Sequence, residues 1–281
     1  MRWLSAHSVG TRRSPRDSVG VTKERWLSHT FSWLLPDARQ RNDYPAAPEG
    51  TLIYAVGDIH GRIDLLEELC ARIDHDMRAE RANKVLEVYL GDYVDRGPAS
   101  AKVVDRLIQR GKERKTAFLR GNHEKILESF LNGEAALDHW RPIGGFETLI
   151  SYGINPDLLR YPTDDDAIRA ALVARMPDTH RSFLSDLQIH FSAGAYFFVH
   201  AGVRPGVALN KQGESDCLCI REEFLESEDD FGCVVVHGHS PVSVPELLPN
   251  RINLDTAAYA TGRLSCLKIS QQGASLLETD L

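Results

Sequence analysis

A chain of 281 residues with 42% hydrophobic and 26% charged content can bury a full core, as one large α/β domain or two small ones. A net charge of −7 excludes a chain-wide basic footprint for nucleic acid, and no apolar run approaches the roughly 18 residues of an integral membrane span. Five scattered cysteines (Cys70, Cys217, Cys219, Cys233, Cys266) argue against a disulfide framework and for inert thiols in a reducing, cytoplasmic setting. Cys217 and Cys219 form only a C-x-C, with no second pair at zinc-site spacing.

Residues 1–50 differ from the rest, with eight Lys/Arg against five acids. The stretch TRRSPRDSVG lacks the apolar core of a secretory signal, and RWLSHTFSWLL at 25–35 is weakly amphipathic. The expected reading is a flexible basic extension or a misassigned start. A docking or surface-anchoring helix and an organellar transit peptide are the alternatives.

From Thr51 the chain becomes regular. TLIYAVGD (51–58) predicts a buried strand, and Ile63, Leu66, Leu69, Cys70, Ile73 and Met77 recur at helical spacing after it. KVLEVYLGD (84–92) predicts a second strand, and PASAKVVDRLIQRG (98–111) a helix closed by Gly111. KTAFLRGN (115–122) and HEKILESFLNG repeat the unit, closing at Gly133. Three strand–helix units in succession imply a parallel sheet with crossover helices.

Residues 134–190 break the rhythm and read as mostly helical, with Thr163 and Thr179 as expected N-caps. The run Asp164–Asp166 could suggest a metal site, but acids in a helix's first turn are expected from the macrodipole. Strands resume at GAYFFVHAG (194–202), CVVVHGH (233–239), RINLD (251–255) and RLSCLKIS (263–270). The last two are expected to form an antiparallel pair through TAAYATG. No internal repeat or low-complexity tract is present.

Potential ligands gather immediately after the strands: Asp58 and His60 in GDIHG, Asp92 in GDYVDRG, Asn122 and His123 in GNHE, His200 in HAG, and His237 and His239 in HGH. Ligands bind outside the carboxyl ends of strands in open α/β sheets, so distant residues would converge on one rim. The flanking glycines permit sharp turns and close backbone approach. Carboxylate, imidazole and amide oxygen together suit Mn, Fe or Zn. The supply exceeds one ion's needs and favours two metals about 3.5–4 Å apart, bridged by a shared carboxylate.

In order and spacing, GDIHG, GDYVDRG, LRGNHE, HAG and HGH resemble the PPP-type serine/threonine protein phosphatases of the metallophosphoesterase (calcineurin-like) superfamily. The resemblance covers about residues 51–270 and is strongest to compact bacterial members, with IREEFL (220–225) similar to a substrate-arginine segment. It implies an α/β metallophosphoesterase fold over 51–281: mixed sheets in a β-sandwich flanked by helices, a dimetal site at strand ends, and a helical cap insertion at 134–190. That insertion would shape the groove or be a purely structural subdomain.

Carried onto this sequence, the resemblance makes Asp58 and His60 ligands of one divalent ion, Asp92 the bridge, and Asn122, His200 and His239 ligands of the second. Manganese is expected, with iron or zinc as alternatives. His237 would lie behind the ligands. His123 would be the general acid oriented by Asp95, Arg96 and Arg221 would hold the phosphoryl oxygens, and Arg120 would contribute to the rim. Departures fall at Ala257–Ala258, where relatives often carry glycine, and at Cys217 and Cys219, which replace bulkier residues.

The implied function is hydrolysis of phosphate monoesters by a metal-bridging hydroxide, with phosphoserine or phosphothreonine proteins and peptides as the first substrate reading. A dinucleoside polyphosphate hydrolase is the alternative, since such enzymes share these motifs. A non-catalytic scaffold is the third reading, disfavoured because no ligand is missing. No G-x-S-x-G nucleophile elbow or Walker A lysine loop is present.

Overall fold

The computed structural model of the protein describes residues 40–41, 44–80, 84–160 and 163–279. The segments 1–39 and 42–43, which hold most of the expected basic extension, lie outside the described residues. The chain enters the fold earlier than Thr51, however. β1 (Gln40–Arg41) pairs at a sheet edge, and Tyr44 and Ala47 are buried in the core.

β2 (Thr51–Val56), α1 (Ile63–Glu80), β3 (Lys84–Tyr89), α2 (Ser100–Glu113), β4 (Thr116–Phe118) and α3 (Asn122–Leu131) form the expected crossover units. The insertion follows, with short helices α4 (Leu137–Trp140) and α5 (Gly145–Ser151), then α6 (Asp165–Arg175) and α7 (Asp178–Ser185). The remaining elements are β5 (His190–Ala193), β6 (Tyr196–Val199), α8 (Glu214–Cys219), α9 (Glu222–Leu225), β7 (Val234–His237), β8 (Glu246–Leu247), β9 (Arg251–Asn253), α10 (Ala258–Thr261), β10 (Ser265–Ser270) and β11 (Gly273–Glu278). Among the described residues no helix is long and apolar enough to cross a membrane.

The strands form two mixed sheets, ordered β1-β11-β10-β2-β3-β4 and β5-β6-β7-β9-β8. In the first, β2, β3 and β4 run parallel. In the second, β6, β7 and β9 do. Alternation along the strands separates three apolar layers. Ile53, Ala55 and Val88 meet Tyr196, Phe198 and Val236 between the sheets. Leu52, Tyr54 and Val56 face α1, α2, α3 and the insertion, while Phe197, Val199 and Val235 face Cys217 of α8 and Phe224 of α9. Burial on both faces explains why TLIYAV reads as a continuous apolar run rather than an alternating one.

Several expectations need correction. β9 and β10 are not a hairpin: β9 lies in the second sheet beside β7, and β10 in the first between β2 and β11. The intervening loop crosses from sheet to sheet, and the antiparallel partner of β10 is β11. Gly111 does not end α2. It lies within the helix, where a Cβ would stand 3.1 Å from the Phe118 ring, so the glycine admits close packing on β4. Asp164, not Thr163, caps α6, its Oδ1 accepting from Ala167 N at 3.0 Å. Thr179 lies inside α7, which Pro177 precedes. The Asp164–Asp166 run is a helix start, with Asp165 Oδ2 accepting from Leu137 N and Asp166 paired with Arg169.

Candidate active site

The parallel strands of both sheets end at one rim, and the site is built from the turns that follow them. Backbone bonds knit these turns together: His60 N donates to Asp92 O (2.8 Å), Gly61 N to Tyr93 O (2.9 Å), and Gly238 N to His200 O (2.8 Å). Among the described residues six non-glycines have positive φ, and five are His60, Asp92, Asp95, Arg96 and His239. Left-handed backbone is uncommon outside glycine and gathers where surrounding structure over-determines it. The sixth, Ala257, takes φ 50°, a conformation that glycine adopts without strain.

Asp92 is central. Its Oδ2 lies 3.5 Å from His60 Nε2 and 3.7 Å from His123 Nε2, and its Oδ1 lies 3.4 Å from His200 Nε2. Two buried groups thus share one carboxylate: His60, Asp92 and His123, and Asp92, His200 and His239. In each group the potential ligand atoms lie within 4.8 Å of one another. Asn122 Oδ1 sits between His200 Nε2 (3.0 Å) and His239 Nδ1 (2.9 Å). The Nδ1 atoms of His60 and His200 face the carbonyls of Val94 and Leu90, which fixes their tautomers and leaves each Nε2 lone pair pointing inward.

Asp58 does not join either group through its nearest atoms, but one of its carboxylate oxygens is buried without a partner. Its Oδ2 accepts from His239 N at 3.0 Å, while its buried Oδ1 has no partner. Burial, then the charges of Asp255 and Asp92, push its pKa well up. A lone buried carboxylate oxygen is costly unless a cation compensates it. Burial pulls His60 and His239 down to about 3 and also lowers His200, so these imidazoles are neutral and able to ligate. For Asp92, burial works upward, but attraction to the protonated forms of the surrounding histidines outweighs it and its pKa is lowered. The donor set therefore fits divalent cations on either side of Asp92.

His123 behaves differently. Burial draws its pKa down, but the carboxylates of Asp92 and Asp95 overcome this and raise it to about 9. Its Nδ1 donates to Asp95 Oδ2 at 2.7 Å. Arg96 extends over the Tyr259 ring, with Nη1 3.2 Å from the phenol oxygen and a buried Nε that has no partner. Arg221 reaches from the start of α9 to Ser240 Oγ and His239 O. The charge of Arg96 helps depress His60, and that of Arg221 helps depress His200 and His239, which places both beside the cluster.

His237 is fully buried behind His239, its Nδ1 on Gly238 O. The Arg120 guanidinium binds Glu128 and the carbonyls of Leu184 and Ser185, tying α7 to α3. Sequence reasoning passed over Glu124. Its buried carboxylate accepts from the backbone nitrogens of Asp92, Tyr93, Val94 and Gly121, so one side chain holds the Asp92 turn against α3. The available signal was its position three residues after Gly121, where a capping box places an acid. Asp255, also passed over, is buried beside Asp58, and burial raises it to about 6.

Two mixed sheets carrying an Asp/His/Asn cluster at their common rim define a metallophosphoesterase. The sequence profile of the calcineurin-like phosphoesterases matches residues 51–271, and the chain belongs to that family of metal-dependent hydrolases. Curated relatives include the asymmetrical bis(5'-nucleosyl)-tetraphosphatase PrpE of Oceanobacillus iheyensis, 21% identical over 234 residues that cover 77% of this chain and 88% of the relative. The protein of that name from Anoxybacillus flavithermus is 23% identical over 234 residues, covering 76% and 88%. A crystal structure of a candidate diadenosine tetraphosphatase superposes with a TM-score of 0.55 at 21% identity, covering 84% of this chain and 97% of that one. These two curated relatives carry the name of the alternative substrate class, not of a serine/threonine protein phosphatase.

Proposed function

We propose that the protein hydrolyses dinucleoside tetraphosphates asymmetrically, reversing the order of the two substrate readings drawn from the motifs. The relatives' names support the substrate class. The observation that carries the chemistry is the single carboxylate of Asp92 turned toward two ligand groups at once.

In this reading Asp58, His60 and Asp92 would hold one divalent ion, and Asp92, Asn122, His200 and His239 would hold the other. The chemistry such cations would supply when bound is positive charge at the phosphoryl oxygens and a water made nucleophilic near neutral pH. Arg96 and Arg221 offer paired donors to the remaining phosphate oxygens, where negative charge accumulates as the bond to the leaving group breaks. His123, its Nδ1 held on Asp95 Oδ2, would give its Nε2 proton to the leaving oxygen, with Asp95 compensating the charge on Nδ1–H. Glu124 keeps the Asp92 turn from relaxing.

The test is parallel kinetics with Mn2+ on diadenosine tetraphosphate and on phosphoserine and phosphothreonine peptides. Diadenosine tetraphosphate is expected to give the higher kcat/KM and unequal products, one mononucleotide and one nucleoside triphosphate. A preference for phosphopeptides would return the protein phosphatase reading, and unchanged turnover in Asp92→Asn would remove the site assignment itself.

A further inference from the structure

The insertion at 134–190 reaches the site itself, through Trp140 and Thr148. Asp95 is fully buried, and both its carboxylate oxygens are occupied. Oδ2 accepts from His123 Nδ1 at 2.7 Å and from the Trp140 indole N–H at 2.8 Å. Oδ1 accepts from the Thr148 hydroxyl at 2.6 Å. Thr148 has one proton and spends it there, so its oxygen accepts from Asp95 N at 2.8 Å and from Ser100 Oγ at 3.0 Å. Two of the three side-chain donors to Asp95 thus come from the insertion.

The backbone repeats the arrangement. Asp95 and Arg96 are consecutive left-handed residues, at φ 70° and 66°. Arg96 N donates to Gly144 O at 3.3 Å. A Cβ on Gly144 would stand 2.9 Å from Arg96 Cα, and one on Gly145 would stand 2.5 Å from the Trp140 ring. The Gly144–Gly145 pair therefore lies flat between the Arg96 turn and the Trp140 indole.

An aspartate held at one oxygen only can turn about its broad terminal torsion, carrying its imidazole partner with it. Held at both oxygens and at its own nitrogen, it offers His123 a single direction.

We propose that Trp140 and Thr148 are positioning residues, which fix Asp95 and through it aim His123 Nε2 at the leaving oxygen. This rests on the assignment of His123 as proton donor. The step balances as a hydrolysis: a water oxygen bonds phosphorus as the P–O bond to the leaving group breaks, the departing oxygen takes the Nε2 proton, and His123, its Nδ1–H still on Asp95, is restored by the proton that water releases. Its benefit grows with the basicity of the leaving oxygen.

The test compares kcat on phenyl phosphate, whose leaving phenolate is the more basic, with kcat on 4-nitrophenyl phosphate. His123→Asn should slow the phenyl ester far more than the nitrophenyl ester. Thr148→Val, nearly isosteric, and Trp140→Phe should show the same selective loss, with the ratio of the two rates falling about tenfold, as one lost hydrogen bond to a charged group implies. Thr148→Ser, which keeps the hydroxyl, should restore the ratio. In proton NMR of the full chain, the downfield Nδ1–H resonance absent from His123→Asn should shift or broaden in Thr148→Val. If Thr148→Val slows both esters equally while His123→Asn remains selective, the insertion is a structural support and the proposal is overturned with the proton-donor assignment intact. If His123→Asn is itself unselective, that assignment fails and takes the proposal with it. Should Trp140→Phe fail to fold, Thr148→Val carries the test alone.

Discussion

Gly121→Ala isolates the contribution of close packing at the site. Gly121 has φ −96° and ψ 171°, a conformation alanine adopts freely, so the substitution adds no backbone strain. Its cost is steric. The new Cβ would stand 2.5 Å from Asp92 N and 2.8 Å from Glu124 Oε2, and nearer still to Asp92 Oδ1. To reach the 3.4 Å of an ordinary contact, the Asp92 nitrogen and the Gly121 turn must separate by about 0.9 Å. Either Asp92 moves from His60 and His200, or the start of α3 moves, carrying Asn122 and His123. A displacement near 1 Å in a reacting constellation costs about 100-fold in rate, or about 2.7 kcal/mol of barrier. Overpacking costs about 1–3 kcal/mol of stability. Steady-state kinetics on diadenosine tetraphosphate, Mn2+ titration calorimetry and urea unfolding read the three consequences. A variant with kcat/KM within about threefold of the parent and undiminished Mn2+ binding would refute the argument that the turn has no room to spare.

Two further outcomes follow from the ion pairs behind β3. Arg110 is almost wholly buried and donates to Glu87, which is fully buried, and to Asp74. Arg110→Met strands the Glu87 charge and should cost about 3–5 kcal/mol in urea unfolding, whereas Arg110→Met with Glu87→Gln should recover much of it. A loss below about 1 kcal/mol in the single variant would contradict the pairing. Asp74 is partly exposed; burial raises its pKa, but Arg110 and Arg114 outweigh this and lower it. Its folded pKa therefore lies below the unfolded value of about 3.9, so the unfolded chain takes up the proton first. The stability it supplies is complete above about pH 4 and fades as pH falls through the lower folded value. Asp74→Asn should be less stable at pH 7 and show a shallower loss below pH 4, read from urea midpoints across pH; parallel acid limbs would contradict this.

The parts of the fold that follow from local pattern were legible in the sequence. The apolar runs of β2, β3 and β4, each followed by helical periodicity, require parallel crossover units, and the gathering of potential ligands at their ends follows from that topology. Sheet membership was not legible for β9 and β10, because pairing depends on which edge is free in three dimensions and not on chain proximity. Gly111 misled because a glycine near a helix end reads equally well as a cap or as a packing site, and only Phe118 decides between them. Trp140 and Thr148 carried no signal, since an indole and a hydroxyl in a short helical segment ordinarily belong to a small core. Their partner Asp95 lies 45 and 53 residues away.

The rim residues come from both halves of the sandwich. Asp58, His60, Asp92 and Asn122 follow strands of the first sheet, while His200 and His239 follow strands of the second. Asp58 Oδ2 accepting from His239 N and Asn122 Oδ1 lying beside His239 Nδ1 are stitches across that seam. The proposed reaction centre is thus also a clasp at the open end of the two sheets. Parting the sheets would dismantle it, and a ligand held across the seam would hold them shut, so ligand occupancy and resistance to unfolding are expected to rise together.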